Sequence, residues 1–131
     1  MNDAQLQVIE LSKRPINAGK LDDADIVKIG KNLSCGDQVS IYVKLANSEQ
    51  GLGNRVIAEV KFEGTGCSIS IASASLLSET LKGKSFEEVL QLGPEEIQKI
   101  LGLELGPSRL KCALLPLDTI QQGIREQKPK S

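Results

Sequence analysis

The residues best suited to chemistry in this chain are its three cysteines, Cys35, Cys67 and Cys112, which lie 32 and then 45 positions apart. No local turn can join residues so far apart, so any shared chemistry requires the fold to gather them. Asp37 follows Cys35 after a single glycine, and Lys111 directly precedes Cys112. Brought together, three thiolates, one carboxylate and one amine would make a metal or sulfur site. Gly36 lets its loop bend so that Cys35 and Asp37 can face one ion, and Gly64 and Gly66 permit close backbone approach just before Cys67. Three sulfurs and a carboxylate oxygen suit tetrahedral zinc. The same set can hold an iron–sulfur cluster, and a thiolate set short of four suits a cluster that is to be given away. The chain has no histidine, so a metal site must draw on Cys, Asp, Glu or, unusually, Lys.

Each residue also has a plainer reading. A lone cysteine is more often a small buried hydrophobe than a ligand. Asp37 alone fits a turn or a helix N-cap, and Lys111 alone fits a solvated lysine on the face of the helix opposite its neighbour. The serine-rich run from Ser68 to Ser75 reads as close helix packing rather than catalysis, and Gly102 reads as a helix C-cap.

Composition narrows the class. The 131 residues suit one domain, 1–131 with a core over about 5–125, and 40% hydrophobic against 25% charged residues is ordinary for a globular chain. A net charge of −1 and only three aromatics (Tyr42, Phe62, Phe86) give neither the basic patch nor the stacking platform of a nucleic-acid binder. No segment approaches the roughly 18 apolar residues of a membrane span, and the N-terminus lacks a secretory pattern. Three cysteines, an odd number, argue against a disulfide framework and for a reducing, cytoplasmic setting.

The elements that must position these residues follow from periodicity. A short helix is expected over Ala4–Leu11, ended by the Pro15–Gly19 segment, and a first strand over Asp25–Ile29. Val39, Ile41, Val43 and Leu45 alternate with polar neighbours, as do Val56, Ala58, Val60 and Phe62 on the next strand; the turn-rich stretch from Asn47 to Asn54 makes the two a hairpin. A helix through Ile69, Ala72, Leu76, Leu77 and Leu81 stops at Gly83. Ser85 and Glu88 form a capping box for a short helix, and Pro94 opens another. Leu110, Leu114, Leu117, Ile120 and Ile124 mark a last amphipathic helix, which Pro116 should kink or start late. The tail from Gln127 reads as frayed. Strands first and helices second indicate an α+β fold, an antiparallel sheet with helices on one face. All three cysteines fall near element ends, and Cys67 precedes a helix whose N-terminal partial charge favours an anionic sulfur.

The run Phe62-Glu63-Gly64-Thr65-Gly66-Cys67-Ser68-Ile69-Ser70-Ile71-Ala72-Ser73-Ala74-Ser75 is similar to the central signature of the IscU/SufU family of iron–sulfur assembly proteins, also called NifU N-terminal-like, and the sequence as a whole resembles that family. Cys35-Gly36-Asp37 is similar to its first cysteine motif and Arg109-Leu110-Lys111-Cys112-Ala113 to its third, while Pro15-Ile16-Asn17-Ala18-Gly19 resembles its N-terminal segment. The resemblance implies a three-stranded antiparallel sheet packed against four to five mostly C-terminal helices. It implies one exposed site formed by Cys35, Asp37, Cys67 and Cys112, and a cysteine desulfurase partner that delivers persulfide sulfur. In the scaffold branch a [2Fe–2S] cluster is built there and passed to recipient apoproteins; in the SufU branch zinc sits there and the protein relays sulfur.

The sequence departs from both branches. Lys111 stands where scaffolds usually have histidine, as in SufU-type proteins. The 45-position step from Cys67 to Cys112 leaves no room for the SufU-type insertion. Leu105-Gly106-Pro107-Ser108-Arg109 only partly matches the segment that a dedicated Hsp70-type chaperone reads, which argues against that partner. The first expectation is therefore a non-enzymatic scaffold, a monomer or weak oligomer, holding iron or [2Fe–2S] on three cysteines and Asp37. The second is a zinc-dependent sulfurtransferase with Cys112 as the sulfur acceptor and Lys111 as its auxiliary. The third is a structural metal module.

Overall fold

A computed structural model describes residues 2–32, 36–46 and 55–127. Cys35, the hairpin turn from Asn47 to Asn54, and the tail from Lys128 lie outside the described residues. The element order is α1 (Asp3–Lys13), β1 (Ile26–Asn32), β2 (Asp37–Leu45), β3 (Ile57–Thr65), α2 (Ser68–Thr80), α3 (Phe86–Leu90), α4 (Pro94–Leu101) and α5 (Pro107–Arg125). The strands form one antiparallel sheet in the order β1-β2-β3. This is the α+β arrangement that the sequence implies.

β2 carries the alternation cleanly: Val39, Ile41, Val43 and Leu45 face the core, and Asp37 continues the same row at its start. β3 departs from expectation at its beginning. Ile57, not Val56, is buried, and Ala58 is exposed, because Leu45 pairs with Ile57 while Lys44 pairs with Glu59. The unpaired Ala58 is a bulge that shifts the face by one residue, after which Val60 and Phe62 point inward as expected.

α5 lies across β1 and β2 and also packs on α2, α3 and α4. It is buried on nearly all sides, so Cys112, Ala113, Leu115 and Gly123 join Leu117, Ile120 and Ile124 in the interior. The amphipathic stripe therefore undercounts its buried face. Glycines allow the close approach to β1: a side chain at Gly30 would overlap Thr119, and one at Gly123 would press on Ile26 and Lys28. The helix runs unbroken through Pro116, which corrects the expected late start. Outside the helix core, Lys28 ties β1 to Glu126 at 2.8 Å.

The remaining local signals form as their chemistry requires. Ser85 and Glu88 make the capping box of α3, Pro94 opens α4, and Gly102 closes it in the left-handed region at φ 73°. The Pro15–Gly19 segment docks along β3 and α2. Asn17 O accepts from Phe62 N, Gly19 N donates to Phe62 O, and Ile16 N donates to Ser75 Oγ at 3.2 Å. Asn17 Nδ2 also reaches Ser78 Oγ and Glu79, and with Lys82 it holds the Glu79 carboxyl below its ordinary range.

Candidate metal and sulfur site

Three elements converge at one end of the sheet. Asp37 opens β2, Cys67 is the N-cap of α2, and Cys112 lies in the second turn of α5. Period-two alternation turns Asp37 inward, so its carboxylate ends a row of buried apolar side chains. An acid buried to 3% exposure requires partners. Cys67 N donates to Asp37 Oδ1 at 3.1 Å, and Ser70 Oγ donates to Oδ2 at 2.7 Å. The Cys67 side chain makes no cap bond of its own. Asp37 thus caps α2 from a neighbouring strand, where the helix partial charge favours an anion.

Two glycines make this approach possible. A Cβ on Gly66 would sit 2.7 Å from Asp37 Oδ1, and one on Gly64 would sit 2.6 Å from the Gln38 carbonyl oxygen. The first is room for a carboxylate; the second is room for a strand.

The sulfurs complete the group. Cys67 is exposed and Cys112 is buried. Donor atoms of Asp37, Cys67 and Cys112 all lie within 4.8 Å of one another. Cys67 Sγ stands 3.7 Å from Asp37 Oδ2. Two ligands of one tetrahedral zinc, with Zn–S about 2.3 Å and Zn–O about 2.0–2.2 Å, are separated by about 3.5–3.8 Å. The Cys67–Asp37 pair already has the spacing of two ligands on one thiophilic ion, and the Cys112 sulfur lies within 4.8 Å of both. Cys35, the third expected sulfur, lies outside the described residues, although Gly36 beside it has the left-handed φ of 71° expected of a bending loop.

Lys111 is exposed while Cys112 is buried, as adjacent helical residues should be. It lines a groove of about 770 Å³ beside the site, together with Cys67, Cys112, Asn32, Leu105 and Arg109. The groove gives the sulfurs a route to solvent and brings cationic side chains to its wall.

Ser70 is the site residue that sequence reasoning assigned to packing alone. It does pack, at 6% exposure, but it also holds Asp37 and donates toward the Cys112 carbonyl at 3.0 Å. The signal was present: Ser70 follows the N-cap Cys67 by three residues, hence shares its helix face.

The chain matches the family described as NifU-like N terminal domain over residues 3–131. It is 36% identical to the iron–sulfur cluster assembly scaffold protein IscU of Thermotoga maritima, with 82% of each chain covered. It is 31% identical to the zinc-dependent sulfurtransferase SufU of Bacillus subtilis, covering 92% of this chain and 88% of that one. The fold is similar to the crystal structure of FiSufU from Fervidobacterium islandicum AW-1, with a TM-score of 0.74, 30% identity and coverage of 90% and 93%.

Proposed function

Because the chain belongs to the NifU-like N-terminal domain family, we propose that it is an iron–sulfur cluster assembly scaffold. It takes sulfur from a cysteine desulfurase, assembles a [2Fe–2S] cluster as cargo on Cys35, Asp37, Cys67 and Cys112, and passes that cluster to recipient apoproteins. One observation carries the reading: two sulfurs and a buried carboxylate from three different elements lie within 4.8 Å of one another, beside a groove that reaches solvent. Cys67 faces the groove and is accessible, so the group can be reached by incoming cargo. Asp37 contributes a hard oxygen to an otherwise soft set, which weakens the hold on a cluster that must leave. Anaerobic incubation with ferrous iron, cysteine and a cysteine desulfurase should produce a visible cluster spectrum, transferable to an apoferredoxin. Retention of zinc with no cluster spectrum would overturn it.

A second reading, a zinc-dependent sulfurtransferase, is favoured by Lys111. Its exposed ammonium lines the groove beside Cys112, where it can attract an anionic persulfide. In that reading Cys112 accepts the sulfur. The zinc form should then stimulate desulfurase turnover, and Cys112→Ala should abolish the stimulation; unchanged turnover excludes it.

A further inference from the structure

Sulfur delivered as a persulfide carries its outer atom in the sulfane state, whereas a cluster contains sulfide. Each sulfide therefore requires two electrons, which a pair of thiols supplies when it closes to a disulfide. Cys67 Sγ and Cys112 Sγ lie within 4.8 Å of each other. The two are held on one frame, because α2 packs on α5: Ser70 Oγ lies 3.0 Å from the Cys112 carbonyl oxygen and Ser73 Oγ 2.6 Å from that of Ala113. Cys112 is buried on α5, whereas Cys67 is exposed at the N-cap of α2. The Cys67 side chain makes no cap bond, and its contacts to Asp37 Oδ2 and Ser70 Oγ are each 3.7 Å long. A disulfide holds its sulfurs about 2.05 Å apart, so closure needs at most about 2.8 Å of travel. One rotamer step at χ1 carries a cysteine sulfur about 3 Å.

We propose that Cys67 is the resolving thiol for a persulfide on Cys112, acting in the metal-free site. Its sulfur attacks Cys112 Sγ, the bond from Cys112 Sγ to the outer sulfur breaks, and the outer sulfur leaves with that bond's electron pair. One thiol on Cys67 and one persulfide on Cys112 thus give a Cys67–Cys112 disulfide and one hydrogen sulfide, which carries both protons. The outer sulfur is reduced to sulfide and the cysteine pair is oxidised. The leaving group directs attack to Sγ rather than to the outer atom, because hydrosulfide is a weaker base than a cysteine thiolate. A dithiol reductant then returns both cysteines to the thiol form in which they can act as ligands, so sulfide release precedes cluster building. The proposal rests on the reading of Cys112 as the sulfur acceptor.

The test mixes metal-free protein, under anaerobic conditions, with a cysteine desulfurase that carries persulfide and has been freed of excess cysteine. Sulfide is trapped with monobromobimane, and alkylated, unreduced digests are mapped by peptide mass. Wild type should release up to about one equivalent of sulfide per chain, matched by a Cys67–Cys112 cross-linked peptide that is absent without the sulfur donor. Cys67→Ser places a preferred N-cap residue at the start of α2, so the helix is kept. That variant should hold the persulfide on Cys112 and release sulfide at least about tenfold more slowly, because the effective molarity of the neighbouring thiol is lost. Sulfide released from Cys67→Ser at the wild-type rate, persulfide moved onto Cys67 without sulfide, or a Cys35–Cys112 disulfide in place of the expected one each overturn the proposal. If Cys112 of Cys67→Ser carries persulfide while wild type forms no disulfide, the resolving role fails and the acceptor reading stands. No persulfide on Cys112 of Cys67→Ser, together with no cross-link in wild type, refutes both.

Discussion

Gly66→Ala probes the site without replacing a ligand. Gly66 has no left-handed backbone to defend, so an alanine there meets only its surroundings. Its Cβ would lie 2.7 Å from Asp37 Oδ1 and 2.8 Å from Cγ. To restore ordinary contact at 3.4 Å, the carboxylate must retreat by about 0.7 Å. Retreat along the bond from Cys67 N stretches it from 3.1 Å to as much as about 3.8 Å, beyond hydrogen-bond range. Losing a charge-assisted bond to a buried acid costs about 1.5–3 kcal/mol, a fall in Tm of about 5–10 °C for a domain of this size. Metal affinity should fall further, about 10–100-fold, because ligand distances tolerate only about 0.2 Å. Calorimetry and cobalt(II) competition against a chromophoric chelator measure the two effects. Gly83→Ala is the control: φ is 84° and nothing lies within 4 Å of the added Cβ. It should cost about 1–2 kcal/mol through backbone strain alone and leave metal affinity unchanged. Wild-type affinity in Gly66→Ala, or an equal loss in Gly83→Ala, would refute the reasoning.

Asp37→Ala removes the acceptor for Cys67 N and Ser70 Oγ together, so a stability loss of about 1–3 kcal/mol is expected in denaturant titration. The same variant should hold a reconstituted cluster longer under chelator challenge, since the labile oxygen ligand is gone; faster loss than wild type contradicts that role. Chelation should leave the protein folded by circular dichroism, because every buried side-chain polar atom among the described residues already has a hydrogen-bond partner. Unfolding on chelation would favour the structural metal module. Burial raises the Asp118 carboxyl above its ordinary value, with Arg125 partly offsetting it. The folded state then holds that proton better than the unfolded state, so stability falls as pH rises through the folded value. Asp118→Asn should therefore be more stable at pH 7, by less than about 1 kcal/mol given its exposure, and the gain should vanish below an ordinary value of 3.8; a gain that persists at pH 3 speaks against the cause.

Local chemistry was legible in the chain wherever a residue's role depends on its immediate neighbours. The capping box at Ser85 and Glu88, the proline start at Pro94, the closing Gly102 and the alternation of β2 all follow from backbone geometry within a few residues. The candidate site was legible in its residue types and in the family-like motifs around Asp37, Cys67 and Cys112, whereas spacing alone left each of them a plainer reading. What stayed hidden depends on partners distant in sequence. The bulge at Ala58 is set by how β3 must meet Leu45 across the sheet, not by the residues of β3. Pro116 looked like a break because sequence counts the N–H it removes but cannot see Ser70 on another helix, 42 residues away from Cys112, offering a hydroxyl instead. Asp37 taken alone likewise read as a turn or cap residue; only the fold brought the start of β2 to the N-terminus of α2, a helix that begins 31 residues later, where Cys67 N donates to it. Sequence by itself determined which groups could do the chemistry. Tertiary structure decided which of them meet, because a ligand set and a hydrogen bond both depend on ångström-scale position, and the chain fixes that only when its elements have packed.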